Sequence, residues 1–316
     1  MSPRNKTQKR KHKQKHKQRG GTIENKNTRG RTQIMRNIIA YENNAGKAKV
    51  LNTLAKGAKL NSRNDEGLTP LHHLFLKTDE DDYPYISDDL VQALIAKGAD
   101  INSRDNNGDT PLNLACEHGR VMPATVSILL AAGANPAIPN ITGCTPLLTL
   151  LRSAPPTVNA VADVLIKAMT PDMLNIQDIR GNTALHYAAE YENTYILIKL
   201  LDNNSNINIT NNKRQTPIYL SIKINNVDGV FQLLIRRANI KIKDIYGHLP
   251  LDDAIQQVLL TNAAKKLARS RNNKREAEER AESALKIKEE LRLTMLEEEV
   301  GYNNNNNNNG AEFYSR

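Results

Sequence analysis

Apolar and polar positions in this chain recur in short blocks of one design. From Gly181 to Leu201 the stretch GNTALHYAAEYENTYILIKLL opens on a tight turn, runs through Thr183-Ala184-Leu185-His186 into a short Ala-rich helix, breaks at Glu192-Asn193, and closes with a second helix carrying Leu197, Leu200 and Leu201. Apolar residues at helical spacing on both sides of a polar break predict a helix-turn-helix module. The same start returns at Thr69-Pro70-Leu71-His72, Thr110-Pro111-Leu112-Asn113, Thr145-Pro146-Leu147-Leu148, Thr216-Pro217-Ile218-Tyr219 and Leu249-Pro250-Leu251-Asp252. With Thr183 included, successive starts lie 41, 35, 38, 33 and 33 residues apart. A spacing that closes on 33 marks stacked units, each burying its apolar face only against its neighbours.

Local chemistry supports each part of a module. Gly67, Gly108, Gly143, Gly181 and Gly247 stand two residues before the start, where the chain must turn; Arg214 takes that place in the sixth module. Asn64, Asp105, Asn140, Asp178, Asn211 and Asp244 lie three residues earlier still, where a short polar side chain hydrogen-bonds its own turn. Threonine can cap the first helix, and proline fits the first helical position because the N–H it lacks had no partner there. Second helices are more apolar, as in Val126, Ile128, Leu129 and Leu130, or Phe231, Leu233, Leu234 and Ile235. A degenerate first module from Ile34 to Asn61 lacks the Thr-Pro-Leu-His start, as suits an end unit whose outer face meets water.

On these motifs the chain resembles the ankyrin-repeat family. The resemblance implies an all-α fold: an ankyrin-repeat solenoid of about seven helix-turn-helix modules with β-turn fingers, followed by a C-terminal charged helix and flanked by disordered termini. The expected division is a basic tail at 1–31, the array at 32–268, the charged helix at 269–301 and an Asn-rich tail at 302–316. The family uses the histidine at the fourth signature position, here His72 and His186, to tie turns together by hydrogen bonds. It also binds partner proteins on a concave face built from fingers and first helices. Carried onto this chain, the partner-facing residues are Glu66, Leu68, Asn107, Asp109, Ile141, Thr142, Ile179, Arg180, Lys213, Ile245 and Tyr246. Ile141, Ile179, Ile245 and Tyr246 either stand exposed as a contact or pack against a neighbouring finger or the C-terminal helix.

Charge changes the picture at one end only. Residues 1–36 hold thirteen Lys or Arg and one Glu, a net of +12 against +10 for the whole chain, so the other 280 residues sum to −2. Lys9, Arg10, Lys11, Lys13, Lys15, Lys17 and Arg19 are interleaved with His and Gln and have almost nothing apolar to bury, which predicts a disordered segment. It is either a solvated tail or a sequence read by nuclear-import machinery or laid on nucleic-acid phosphates. No aromatic residue interleaves, so stacking on bases is not expected. Cys116 and Cys144 form neither a disulfide framework nor a metal spacing, which fits reduced thiols inside a cell. Nothing in the sequence reads as a bilayer span or a signal peptide, so the expected location is cytoplasmic or nuclear, without a membrane.

Candidate chemistry is thin. No phosphate-binding Gly loop, nucleophile elbow or His/Cys cluster occurs, so neither enzymatic activity nor a cofactor or metal is expected. The segment from Lys77 to Asp89 lengthens the second module and gathers Asp79, Glu80, Asp81, Asp82, Asp88 and Asp89. Its spacing matches no EF-hand and its centre has no Gly, so it reads as a solvated loop. Lys265 to Glu299 carries ten basic and nine acidic residues without Gly or Pro. Ala277, Ala284, Ile287, Leu291 and Met295 form a stripe on that expected helix, which is either mostly solvated or a coiled-coil contact through residues 269–300 in an otherwise monomeric protein. Seven consecutive Asn at 303–309, Asn-rich loops and the Lys/His/Gln-rich start are similar in composition to ankyrin proteins of large DNA viruses. The reading is an intracellular protein-protein interaction scaffold without catalytic activity; the alternative is a nucleic-acid-associated protein acting through its N-terminal tail.

Overall fold

A threonine followed by proline begins most of the first helices, and the rest of each module is built from that start. The computed structural model describes residues 30–40, 44–76, 87–117, 122–153, 158–252 and 281–294. Among these every regular element is a helix and no strand occurs. The chain divides into two compact units, residues 1–141 and 142–316.

The first unit holds the pairs α1 (Gln33–Ile39) and α2 (Asn44–Ala55), α3 (Pro70–His73) and α4 (Asp88–Ala96), and α5 (Pro111–Glu117) and α6 (Pro123–Ala131). First helices α1, α3 and α5 stack in one row, and α2, α4 and α6 in a second. In the second unit α7 (Pro146–Ser153) and α8 (Val158–Ala168) are followed by the single-turn α9 (Pro171–Leu174), then by α10 (Ala184–Glu190), α11 (Thr194–Asp202), α12 (Pro217–Lys223) and α13 (Val227–Ile235). Here α7, α10 and α12 form one row and α8, α11 and α13 the other. The core lies between rows and between successive pairs. Leu71, Leu90, Leu94, Leu112 and Leu129 are buried in the first unit, and Leu147, Leu150, Leu165, Leu185, Leu197 and Leu200 in the second. Each such side chain contributes about 1.5–3 kcal/mol by leaving water. A helix pair standing alone would forfeit most of that, which is why the modules exist only in stacks.

Caps set the helix starts. Pro70, Pro111, Pro146 and Pro217 each occupy the first helical position. Thr110 Oγ1 accepts the Asn113 N–H at 3.2 Å and Thr145 Oγ1 the Leu148 N–H at 3.4 Å. The second helices α11 and α13 use asparagine instead: Asn193 Oδ1 accepts the Ile196 N–H at 3.0 Å, and Asn226 Oδ1 the Gly229 N–H at 2.8 Å.

The first module is less degenerate than its sequence suggests. Gly30 has φ +82°, and Thr32, two residues later, caps α1. The Thr32 N–H points at Met35 Sδ at 3.4 Å while the Met35 N–H reaches Thr32 Oγ1 at 3.5 Å, so a thioether fills the place of the signature imidazole. A Cβ on Gly30 would lie 2.7 Å from Asp65 Oδ1, so Gly30 sits against the first full turn.

Residues 281–294 are helical, and Ala281, Ala284, Ile287 and Leu291 are buried while Leu285 and Leu293 are exposed. Ala284, Ile287 and Leu291 of the expected stripe are therefore covered within the single chain, while the other faces of this segment are exposed or half-exposed. Asp88 and Asp89 are engaged at the start of α4: Asp88 Oδ1 accepts from the Thr125 hydroxyl at 2.6 Å, and Asp89 pairs with Lys47. No group of three His, Cys, Asp or Glu residues able to hold a metal occurs among the described residues, and no helix among them is long and apolar enough to cross a membrane. The basic segment from Lys9 to Arg19, the loop at 77–86, Pro155-Pro156, most of the seventh module and the tail beyond 294 lie outside the described residues.

Candidate functional site

A buried Asn or Asp organises the turns at Asn64, Asp105, Asp178, Asn211 and Asp244. In the first unit Asn64 Oδ1 accepts the N–H groups of Glu66 at 3.0 Å and Leu68 at 2.8 Å, and Asp105 Oδ1 those of Asn107 at 2.9 Å and Asp109 at 2.8 Å. Arginines brace the same turns, Arg63 Nε donating to the Gly67 carbonyl and Arg104 Nε to the Gly108 carbonyl, each at 3.1 Å. Successive turns are then tied backbone to backbone. The Glu66 carbonyl accepts the Asn106 N–H at 3.0 Å, and the Asn107 carbonyl accepts the Ile141 N–H at 2.9 Å.

The second unit repeats the arrangement. Asp178 Oδ1 accepts the Arg180 and Asn182 N–H groups, both at 2.9 Å, and its other oxygen accepts the Tyr187 hydroxyl at 2.6 Å. Asn211 does the same for Lys213 and Gln215 at 2.9 and 3.0 Å, and Asp244 for Tyr246 and His248 at 2.8 and 3.0 Å. The carbonyls of Thr142, Arg180 and Lys213 accept the N–H groups of Ile179, Asn212 and Ile245, each at 3.0 Å. Gly181 shows why the turn wants glycine: φ is +75°, and a Cβ there would lie 2.6 Å from the Asn212 nitrogen. Arg214 adopts φ +55° at the equivalent place and keeps its side chain exposed, so the turn forms at the cost of backbone strain.

His72 and His186 link a helix start to the turn that follows. Nδ1 of each accepts the amide of its own threonine, Thr69 or Thr183, at 3.1 Å. Nε2 lies 3.0 Å from the carbonyl of Asp109 or Gln215, which can only accept, so Nε2 carries the hydrogen and the ring is neutral. Burial lowers the pKa of both and holds His186 down to about 4, against the opposing pull of the Gln215 carbonyl. With both nitrogens engaged, neither ring is placed as a catalytic base. Cys116 and Cys144 are buried and form no disulfide, and burial pushes Cys116 far above its usual range.

Paired helices in two rows, with turns laddered edge to edge, are an arrangement shared with known proteins. The family model described as Ankyrin repeats (3 copies) matches residues 37–140, 83–160, 122–211 and 150–244, more than half of the sequence. The chain belongs to the ankyrin-repeat family. An ankyrin repeat protein of Fowlpox virus (strain NVSL) is 38% identical over 80 residues, a match covering 24% of this chain and 24% of that protein. Among solved structures, the ankyrin repeat domain of Bcl-3, a member of the IkappaB protein family, aligns with a TM-score of 0.58 at 20% identity, covering 71% of this chain and 94% of that one. The human ASB11 ankyrin repeat domain aligns with a TM-score of 0.53 at 20% identity, covering 70% and 91%.

The ankyrin turns sort the sequence-predicted contact residues into two kinds. Glu66, Asn107, Ile179, Arg180, Lys213, Ile245 and Tyr246 are exposed, as is Ile141, and Thr142 is half-buried. Leu68 and Asp109 are buried and offer no surface, contrary to their assignment from sequence. Their amides fold onto Asn64 and Asp105, and Asp109 Oδ1 accepts Asn140 Nδ2–H at 2.8 Å. Burial, with the neighbouring charges of Asp105 and Glu117, raises the Asp109 carboxyl to about 6. The apolar tips stand clear of their neighbouring turns: Ile141 is 66% exposed in the first unit, and Ile179, Ile245 and Tyr246 are 64%, 49% and 75% exposed in the second. One tie was missed from sequence. Tyr219 stands at the histidine position, and its hydroxyl donates to Asp244 at 3.0 Å, holding the next turn as His186 does by another route.

Proposed function

We propose that this ankyrin array is a protein-interaction scaffold without catalytic activity, which holds a partner protein on the fingertips of its repeats. The observation that carries the reading is the exposure of Ile179, Ile245 and Tyr246 on turns whose backbones are tied into a ladder. Apolar side chains on a rigid support lose little further freedom on binding, and tyrosine is a frequent anchor at interfaces. The engagement of both ring nitrogens of His72 and His186 supports the non-catalytic part. The buried, unbridged thiols support action inside the cell, in cytoplasm or nucleus, and the covered apolar face of residues 281–294 supports a monomer.

A second reading rests on the +12 net charge of residues 1–36: association with nucleic acid through Lys9 to Arg19. Affinity capture from a nuclease-treated cell lysate tests both, using the full-length chain and its I179S/I245S/Y246S variant. A defined protein set held by the parent and lost by the equally stable variant supports the scaffold. Retention indifferent to these three side chains removes the fingertips from it. Retention that needs residues 1–31, falls steeply with salt and vanishes with nuclease makes nucleic acid the partner.

A further inference from the structure

The fingertips of the second unit narrow the chemistry of what they hold. Their exposed side chains are Ile179 and Arg180, then Asn212, Lys213 and Arg214, then Ile245, Tyr246 and His248. The carboxylates of the same turns are withdrawn. Asp178 and Asp244 are buried, each with one oxygen accepting two turn amides and the other a tyrosine hydroxyl. Three cations and three apolar groups therefore share the tips, with no exposed acid among them. First-unit tips differ in sign, with Asp65 and Glu66 exposed.

The last described finger adds a backbone feature. The Tyr246 carbonyl stands where Thr142, Arg180 and Lys213 each accept the amide of the next turn, and no described residue donates to it. No described residue lies within 4 Å of the position a Cβ on Gly247 would take, whereas one on Gly181 would meet Asn212. Among the described residues, the edge that each earlier finger uses to hold its successor takes none here.

We propose that these tips take a segment of a partner protein that carries carboxylates beside apolar side chains, an inference that rests on the scaffold reading above. The carboxylates meet Arg180, Lys213 and Arg214, the apolar groups cover Ile179, Ile245 and Tyr246, and an amide of the segment donates to the Tyr246 carbonyl as a next turn would. Charge complementarity of this kind selects acidic segments and rejects basic ones. Nucleic acid would satisfy the cations, but two isoleucines and a single tyrosine make a poor platform for stacked bases.

A displayed random-peptide library selected on the immobilised full-length chain tests this. Enriched peptides are expected to combine Asp or Glu with large apolar residues, and to bind R180E/K213E at least about tenfold more weakly. Both substituted residues touch the turn framework only through their backbones, and a wild-type unfolding temperature checks that the variant folds; if it does not, R180Q/K213Q is read instead. Enrichment of basic or uncharged peptides that still need Ile179, Ile245 and Tyr246 overturns the acidic assignment and leaves the scaffold reading standing. Acidic peptides indifferent to R180E/K213E, or no enrichment, also overturn it. Competition by an oligo(dT) strand at the same residues reassigns the tips to nucleic acid. Loss of peptide selection together with lysate capture indifferent to the three apolar tips removes both readings.

Discussion

His186 donates its Nε2 hydrogen to the Gln215 carbonyl at 3.0 Å while its Nδ1 accepts the Thr183 amide at 3.1 Å. One imidazole thus closes the start of its own helix and anchors the next turn, and only the neutral ring does both.

Acidification should undo that tie. The folded pKa is about 4 against an ordinary 6.5, so the unfolded chain binds the proton more readily. The stabilisation is complete above about pH 6.5 and is lost as the pH falls toward 4, on the order of 3 kcal/mol for this ring. Asp109, raised to about 6, works in the opposite sense: its contribution is complete below about 3.8 and is lost as the pH rises through 6. His186→Asn, copying Asn113, which accepts the Thr110 amide at 3.2 Å, should keep the cap and lose the reach to Gln215. Denaturant titrations should give a loss of about 1–3 kcal/mol at pH 7.5 and a shallower fall between pH 6.5 and 4. An unaltered pH slope would show that the imidazole is not the titrating tie.

His73, beside His72 in α3, is buried, and neither ring nitrogen has a partner among the described residues. Burial, with the Arg31 charge adding, holds its pKa to about 4. His73→Leu removes the unmet desolvation cost and should raise stability by about 1 kcal/mol, seen as a higher denaturant midpoint at unchanged slope. A lower midpoint would mean that the ring has a partner in solution.

Gly181 and Gly247 offer a paired test of why the turns use glycine. Both have positive φ, +75° and +84°, but only at Gly181 would a Cβ meet the next turn. Gly247→Ala should cost about 1–2 kcal/mol from the left-handed backbone alone. Gly181→Ala should cost clearly more, because Asn212 has to move. Equal losses would show that the close approach contributes nothing.

Arg214 carries the converse prediction. Its φ of +55° suits glycine, and its side chain is exposed. Arg214→Gly should relieve strain and raise the midpoint of thermal unfolding, by about 0.5–1 kcal/mol after the greater freedom of glycine in the unfolded chain is subtracted.

Much of this architecture was legible because the turns make demands on the backbone that few residues meet. Glycine two residues before threonine, and Asn or Asp three residues before the glycine, report positive φ and a side chain folded onto its own turn, and the structure carries both. The beginning of the first module was missed because Gln33, Ile34 and Met35 replace the signature and a methionine sulfur stands in for a ring nitrogen. Leu68 and Asp109 were misplaced because the direction of a side chain after the turn glycine depends on the neighbouring turn, which Asn140 supplies for Asp109 from 31 residues away. Tyr219 carries no sequence signal beyond its place in the repeated start, since nothing local discloses that its hydroxyl reaches Asp244.

The ladder of turns also separates length from register. The starts at Thr69 and Thr110 are 41 residues apart and those at Thr183 and Thr216 are 33 apart, yet the bonds from Asn106 to Glu66 and from Asn212 to Arg180 are both 3.0 Å. The added residues lie between the two helices of a module, away from the hydrogen bonds that align one module with the next. A gene encoding such a chain can gain or lose codons there without shifting any later repeat, so the helix-to-helix loops are free to diverge while the turn edge stays in step.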